Sequence, residues 1–163
     1  MSSVWTSAIA VLGTLLGSFL TYSFQRMTLR RTLTENRNEK RREEFANAVA
    51  TYASAATALR RAEYNRAKKR IERVADSERE EARQETYRLR AETQSAYYLV
   101  RLLANPDTDN NLLREAENVI ERSRRITAGP KTIKDLDKRR DEATTALDRV
   151  VDMANGRLRA PSF

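Results

Sequence analysis

The first 25 residues contain no charged side chain, and this segment constrains the fold more than any other feature of the sequence. Residues 4–24 form an uncharged run of 21 residues. As a helix, such a run is about 32 Å long, against about 30 Å for the hydrocarbon core of a bilayer. Trp5 lies near one end of the run and Tyr22 near the other, where aromatic side chains favour the membrane interface. Residues 1–25 are therefore predicted to be a transmembrane anchor.

Two other interpretations of this segment are a cleaved signal peptide and a buried helix of a soluble protein. A signal peptide carries Lys or Arg before its apolar region, but only Met-Ser-Ser precedes Val4 here. A buried helix rarely runs this long without one charged residue, although the many hydroxyl side chains keep the hydrophobicity of the segment modest. Of the three interpretations, we therefore expect the transmembrane anchor.

The residues that follow the anchor predict its orientation. Residues 26–42 contain seven basic and two acidic side chains, a net charge of +5. Because basic flanks stay on the cytoplasmic side, we expect the N-terminus outside and residues 26–163 in the cytoplasm, at the cell membrane. Arg26, Arg30 and Arg31 lie close enough to attract anionic lipid, by about 1 kcal/mol each. Residues 26–44 are predicted to form a basic juxtamembrane helix.

Gly13 and Gly17 form a G-x-x-x-G pair inside the predicted span. Small residues at this spacing let two helix backbones approach closely, which predicts a homo-oligomer. The alternative is that glycine is simply frequent in membrane helices.

Beyond the anchor, the pattern is that of long helices. No Gly or Pro occurs between the anchor and Pro106, and apolar residues recur in steps of three and four between Phe45 and Ala62. Ser77 and Glu80 have the spacing of a helix-capping box after a turn at residues 74–76. Further helices are predicted at residues 78–104, 110–127 and 132–155, the last ending at Gly156. The fold class is therefore all-α: a small antiparallel, coiled-coil-like bundle of three to four helices over residues 45–156, with a flexible tail at 157–163.

The composition excludes several kinds of chemistry. The chain has no His and no Cys, so it can form no zinc finger, Ser-His-Asp triad or disulfide. The only G-x-x-x-G segment lacks the Lys of a phosphate-binding loop. We therefore expect no enzymatic activity, no cofactor and no metal site.

A second basic run covers residues 60–73, where seven basic residues outnumber Glu63 and Glu72. It is a candidate surface for an anionic partner such as nucleic acid, but Tyr64 alone makes no stacking platform. We favour the alternative that these cations pair with the acidic start of the next helix. Tyr87, Tyr97 and Tyr98 are predicted to pack between helices. The basic residues of the run are Arg60, Arg61, Arg66, Lys68, Lys69, Arg70 and Arg73.

Three stretches give the sequence a family resemblance: AIAVLGTLLGSFLTYSFQR, EFANAVATYASAATALRRAEYNR and ALDRVVDMANGRL. Together they resemble the KilB and KilB-like membrane proteins of Streptomyces plasmids and related actinobacterial elements. The resemblance implies a membrane protein that helps a conjugative plasmid spread between hyphal compartments, working with other membrane-bound transfer proteins. It implies no catalytic residues.

Three other functional classes share some of these features. A membrane-tethered nucleic-acid-binding protein fits the same topology. A phage lysis accessory of the spanin type needs the opposite topology, which Arg26, Arg30 and Arg31 disfavour. A stalk like the b subunit of a rotary ATPase needs one long helix, whereas Pro106 and the Gly129-Pro130 pair interrupt this chain.

Overall fold

The computed structural model contains four α-helices. It describes the backbone of residues 2–159 and, within the first helix, the side chains at positions 22, 25, 26, 32 and 33 and from 35 onward. No strand occurs between residues 2 and 159, which confirms the all-α prediction. The chain divides into two compact units, Met1–Lys40 and Arg41–Phe163. The helices are α1 (Ser2–Ile71), α2 (Asp76–Leu103), α3 (Asn110–Ile126) and α4 (Ile133–Arg159).

The first unit consists of the first part of α1. Among the residues that the structure describes, no helix is long and apolar enough to cross a membrane. The side chains of most of the predicted anchor lie outside what the structure describes, as do those of its Trp5, Gly13 and Gly17 and of the basic Arg30 and Arg31 that follow it. The described Tyr22 and Arg26 are exposed. The anchor therefore stays a prediction.

The second unit is a four-helix bundle of up-and-down topology. On α1, Ala55 accepts a hydrogen bond from the Thr93 hydroxyl of α2 at 3.1 Å. Further along α1, Arg60 Nη1 donates to Thr144 Oγ1 of α4 at 2.7 Å. Each of these partner helices runs antiparallel to α1, as the short connections between consecutive helices require.

The core follows the predicted apolar stripe of α1. Its centre is Tyr52, whose buried hydroxyl donates to the Ala116 carbonyl of α3 at 2.5 Å. Burial raises the pKa of the Tyr52 phenol, because the anion would be desolvated. Buried alanines on all four helices let the backbones pack closely. The buried side chains around Tyr52 are Phe45, Ala48, Val49, Ala56, Ala96, Tyr97, Val100, Leu112, Ala116, Val119, Ile120, Ala146, Leu147, Val150 and Ala154.

Replacing Tyr52 by Phe tests the buried hydroxyl. We expect the free energy of unfolding to fall by about 1 kcal/mol, because one hydrogen bond is lost while the ring still fills its place. Urea unfolding of residues 41–163 measures the change. Tyr98→Phe is the matched control, since half of that side chain is exposed, and an equal loss there would contradict the assignment.

The turn between α1 and α2 differs in detail from the predicted one. Arg73 has a positive φ of 56°, and Val74 N donates to the Lys69 carbonyl at 3.2 Å. This is the hydrogen-bond pattern of a Schellman motif. The chain reverses direction within this turn, and α2 begins at Asp76, two residues before the predicted start. Its N-cap residue is Ala75, and no side chain caps the helix. The predicted capping box at Ser77 is therefore wrong, because Ser77 already lies inside the helix.

Replacing Arg73 by Gly should stabilise the bundle. A left-handed residue with a side chain costs about 1 kcal/mol, which glycine avoids. The expected gain is therefore about 1 kcal/mol or less in the free energy of unfolding, measured by urea titration. Arg70→Gly removes the same charge type from the last turn of α1 and should lose about 1 kcal/mol instead. If both variants changed the free energy of unfolding in the same direction, this account of the turn would be contradicted.

The end of α4 was predicted at Gly156, and that prediction is wrong: the helix continues to Arg159. The physical reason is Arg157, whose guanidinium lies 3.6 Å from the centre of the Phe45 ring. Its Nη1 also lies 2.8 Å from the carboxylate of Asp109. These contacts hold the last turn against the bundle, although glycine favours a helix end.

Candidate functional site

The basic residues at positions 60–73 spread around the end of α1 and the turn after it, and they do not form one face. Arg60 points towards α4, where it bonds to Thr144. Burial and the nearby Arg61 lower the pKa of its guanidinium. The structure therefore uses Arg60 to connect two helices.

The predicted ion pairs between the second basic run and the acidic start of α2 form for only part of the run. Lys69 Nζ lies 3.4 Å from Glu78 Oε2, whereas Lys68 pairs with Glu72, just after the end of α1, at 3.7 Å. Glu80 and Glu85 of α2 pair within α2. Such exposed pairs stabilise a fold by about 0–1 kcal/mol each.

Arg61, Arg70 and Arg73 make no ion pair within the part of the chain that the structure describes. Arg61 lies on a ridge between two grooves of the bundle. One groove, of about 550 Å³, runs between α1 and α2 beside Lys69. The other, of about 300 Å³, lies between α1 and α4 and is lined by Arg60, Arg61 and Arg140. The cations left for an anionic partner are thus fewer than the seven in the sequence.

Arg66, another residue of the run, belongs to a cluster around Tyr87 of α2. The guanidinium carbon of Arg66 lies 5.7 Å from the centre of the Tyr87 ring, and those of Arg83 and Arg90 lie 5.6 Å from it. The hydrogen bond from Arg83 and the surrounding positive charge lower the pKa of Tyr87.

The predicted packing of the tyrosines between helices is right for Tyr97 only. Tyr97 is buried, whereas Tyr87 and Tyr98 expose about half of their side chains, 47% and 50%. The reason is their position on α2: both lie on the side of the helix that faces away from the core.

Glu63, an acidic residue within the second basic run, is among the deepest charges that the structure describes. Its side chain is fully buried and meets Arg90 of α2, with Nη2 2.5 Å from Oε1. Thr127, after α3, donates its hydroxyl to Oε2 at 2.8 Å. Glu63 follows Leu59 by four residues and Ala56 by seven, so the spacing of the apolar stripe already places it inward.

This arrangement gives a carboxylate whose two oxygens both have partners. It holds α1, α2 and the segment after α3 together at one level of the bundle. Between residues 2 and 159, the structure brings together no group of three or more acidic residues that could hold a metal ion, within what it describes.

These features define a class: an arginine-rich, up-and-down helical bundle whose deepest charges serve packing. The sequence profile of the KilB plasmid transfer protein family matches residues 46–158, which is more than half of the chain and spans the bundle. The chain belongs to the KilB plasmid transfer protein family, as the resemblance predicted. No curated protein and no solved structure matches it.

Proposed function

We propose that this KilB family member is a membrane-anchored, non-enzymatic interaction protein that assists the spread of a conjugative plasmid between hyphal compartments. Membership of the family supports the role in plasmid transfer. We add to this the anchor, the absence of catalysis and the partners.

The anchor is supported by a change in charge and burial along the first helix. Residues 1–25 hold no charge, Arg26 begins a basic stretch, and Phe45 is the first buried residue of the bundle. An uncharged helical segment followed by arginines favours insertion with the arginines on the cytoplasmic side. On this proposal the bundle is cytoplasmic and anionic lipid is one of its partners.

The interaction role is supported by the way the bundle uses its polar groups. Glu63, Asp109 and Arg60 are engaged in contacts between helices. By contrast, large apolar side chains are left exposed on α2, such as Leu102 at 81%. Exposed apolar surface of this kind is typical of contact with another macromolecule.

Membrane fractionation tests the anchor. We expect the full chain to remain with the membrane pellet after alkaline extraction, and a chain lacking residues 1–25 to be released, because the proposed span is then removed. A reporter fused after Phe163 should report a cytoplasmic position. A C-terminus outside the membrane would contradict the proposal and favour the spanin-type interpretation.

A charge comparison tests the orientation. Replacing Arg26, Arg30 and Arg31 by Gln should give a mixed topology, because about 3 kcal/mol of lipid attraction and the positive flank are lost. The matched control replaces Arg37, Lys40 and Arg41 by Gln, which removes the same charge further from the span. If both triple variants behave alike, the membrane-proximal position of the first three residues has no special role.

A second candidate function, nucleic-acid binding, is favoured by Arg61, Arg70 and Arg73, which form no ion pair with any residue whose side chain the structure describes. A gel-shift assay of residues 41–163 with DNA at two salt concentrations tests it. Binding that weakens steeply with salt and is lost in a triple Glu variant at these positions would support it. Salt-independent or absent binding would exclude it.

A further inference from the structure

The smaller of the two grooves, between α1 and α4, is lined by cations. Its volume is about 300 Å³, and no carboxylate is among the described residues that line it. The larger groove, between α1 and α2, is lined by Glu81 and Glu85 as well as by basic residues. An anion therefore meets less repulsion in the smaller groove. The residues that line the smaller groove are Arg60, Arg61, Tyr64, Asn65 and Arg140.

Contacts within the bundle hold two of these guanidinium groups in place. Arg60 Nη1 of α1 donates to Thr144 Oγ1 at 2.7 Å. On α4, Arg140 Nη1 donates to Asp137 Oδ1 at 3.0 Å, and its Nε donates to Asp141 Oδ1 at 2.9 Å. A guanidinium carries five N–H donors, so these bonds saturate neither arginine. Donors that are already held in place lose little conformational entropy when a ligand binds.

The third guanidinium, that of Arg61, adds positive charge at the same place. Burial lowers the pKa of the Arg60 guanidinium, and the charges of Arg61 and Arg140 lower it further. Carboxylates of α4 act in the opposite direction without restoring the ordinary value, and none of them lines the groove. An anion in the groove therefore relieves repulsion among the three arginines. The carboxylates that act on these cations are Asp137, Asp141 and Asp148.

We infer that the groove between α1 and α4 binds the phosphate group of a small soluble molecule through Arg60, Arg61 and Arg140. Guanidinium groups bind phosphate oxygens through paired N–H donors. Donors from three such groups suit a tetrahedral oxyanion, which offers more oxygens than a carboxylate, and the Asn65 amide can add another donor.

The size of the groove limits the ligand. A volume of about 300 Å³ is at the lower limit for ligand pockets, so the groove fits inorganic phosphate or a small phosphate ester and excludes a DNA duplex. The site goes beyond the proposed function and does not depend on the anchor.

Titration of the full-length protein with inorganic phosphate tests the site. The protein is purified in a neutral detergent, and phosphate replaces chloride at constant ionic strength while isothermal titration calorimetry records the heat. We expect saturable binding of one phosphate per chain with a dissociation constant on the order of 1 mM, because a few charge-assisted contacts must offset the lost freedom of the ligand. Heat that rises without saturation, as general charge screening gives, would overturn the inference.

Three single variants locate the site. Arg61→Gln removes an exposed cation of the groove, so it should keep the fold and weaken phosphate binding about tenfold. Arg70→Gln is the matched control: Arg70 is also exposed, and like Arg61 it makes no ion pair with a residue whose side chain the structure describes. Lys69→Gln alters the larger groove alone. Both controls should leave the affinity nearly unchanged, and circular dichroism checks that all three variants keep their helices. A loss in either control equal to that of Arg61→Gln would overturn the inference.

A competition with DNA separates a small-molecule site from a nucleic-acid surface. Protein with bound phosphate is titrated with a DNA duplex at the same salt concentration, and phosphorus NMR follows the bound phosphate. We expect the phosphate to stay bound, because the duplex does not enter the groove. Displacement by the duplex would assign Arg61 to a nucleic-acid surface with Arg70 and Arg73 and would overturn the small-molecule site. A failed anchor would show only in the fractionation experiment.

Discussion

Replacing Glu63 by Ala is expected to lower the free energy of unfolding of the bundle by about 3–5 kcal/mol. The variant leaves Arg90 at the edge of the core without its carboxylate and removes the acceptor of the Thr127 hydroxyl. A buried charge that loses its partner is destabilising, because desolvation is no longer offset by an ionic contact. Many domains have a total stability of only about 5–15 kcal/mol, so the variant should be close to unfolding. Urea unfolding of residues 41–163, followed by circular dichroism, measures the loss.

Two controls show whether the burial of Glu63 causes this effect. Glu72→Ala removes the same kind of side chain from an exposed ion pair just after the end of α1 and should cost about 0–1 kcal/mol. The double variant Glu63→Leu with Arg90→Met replaces both charges by apolar groups and should recover much of the stability, since neither charge is then left alone. A loss below about 1 kcal/mol for Glu63→Ala would show that the buried pair is not structural.

The sequence is most informative where the apolar pattern repeats along one helix. The steps from Phe45 through Tyr52 to Leu59 predict the buried face of α1, and the structure buries all three. The three helices after α1 begin and end within a few residues of their predicted bounds. Periodicity works here because burial of one stripe per helix dominates the packing.

Other features depend on contacts between residues far apart in the chain. Counting charge over residues 60–73 hides Glu63, because a net charge says nothing about which residues lie on the buried stripe. Gly156 is a good local signal for a helix end, but Arg157 contacts Phe45, more than a hundred residues earlier. At the apolar end of α2, the sequence likewise does not predict which residues are buried: Val100 is buried and Leu102 is exposed. Composition does not separate them; only the direction of each side chain around the helix does.

Asp109 is the second position at which we expect a large effect. The carboxylate is almost fully buried where α2 connects to α3. Its Oδ2 accepts a hydrogen bond from the Asn105 backbone N–H at 2.6 Å and lies 2.8 Å from Arg157 of α4. Asp109→Ala should lower the free energy of unfolding by about 2–4 kcal/mol, because it frees the turn and leaves the guanidinium unpaired.

The comparison of Asp109 with Asp107 decides whether position or charge is responsible. Asp107 is an exposed carboxylate of the same turn, so Asp107→Ala should change the stability by less than about 0.5 kcal/mol. In a double-mutant cycle, Asp109→Ala and Arg157→Met should show a coupling of about 1–3 kcal/mol. Arg157→Met keeps an apolar side chain over Phe45, so the cycle isolates the ionic contact from the packing. Additive effects would mean that Asp109 acts through the turn alone, and the extension of α4 past Gly156 would then depend on the contact between Arg157 and the Phe45 ring.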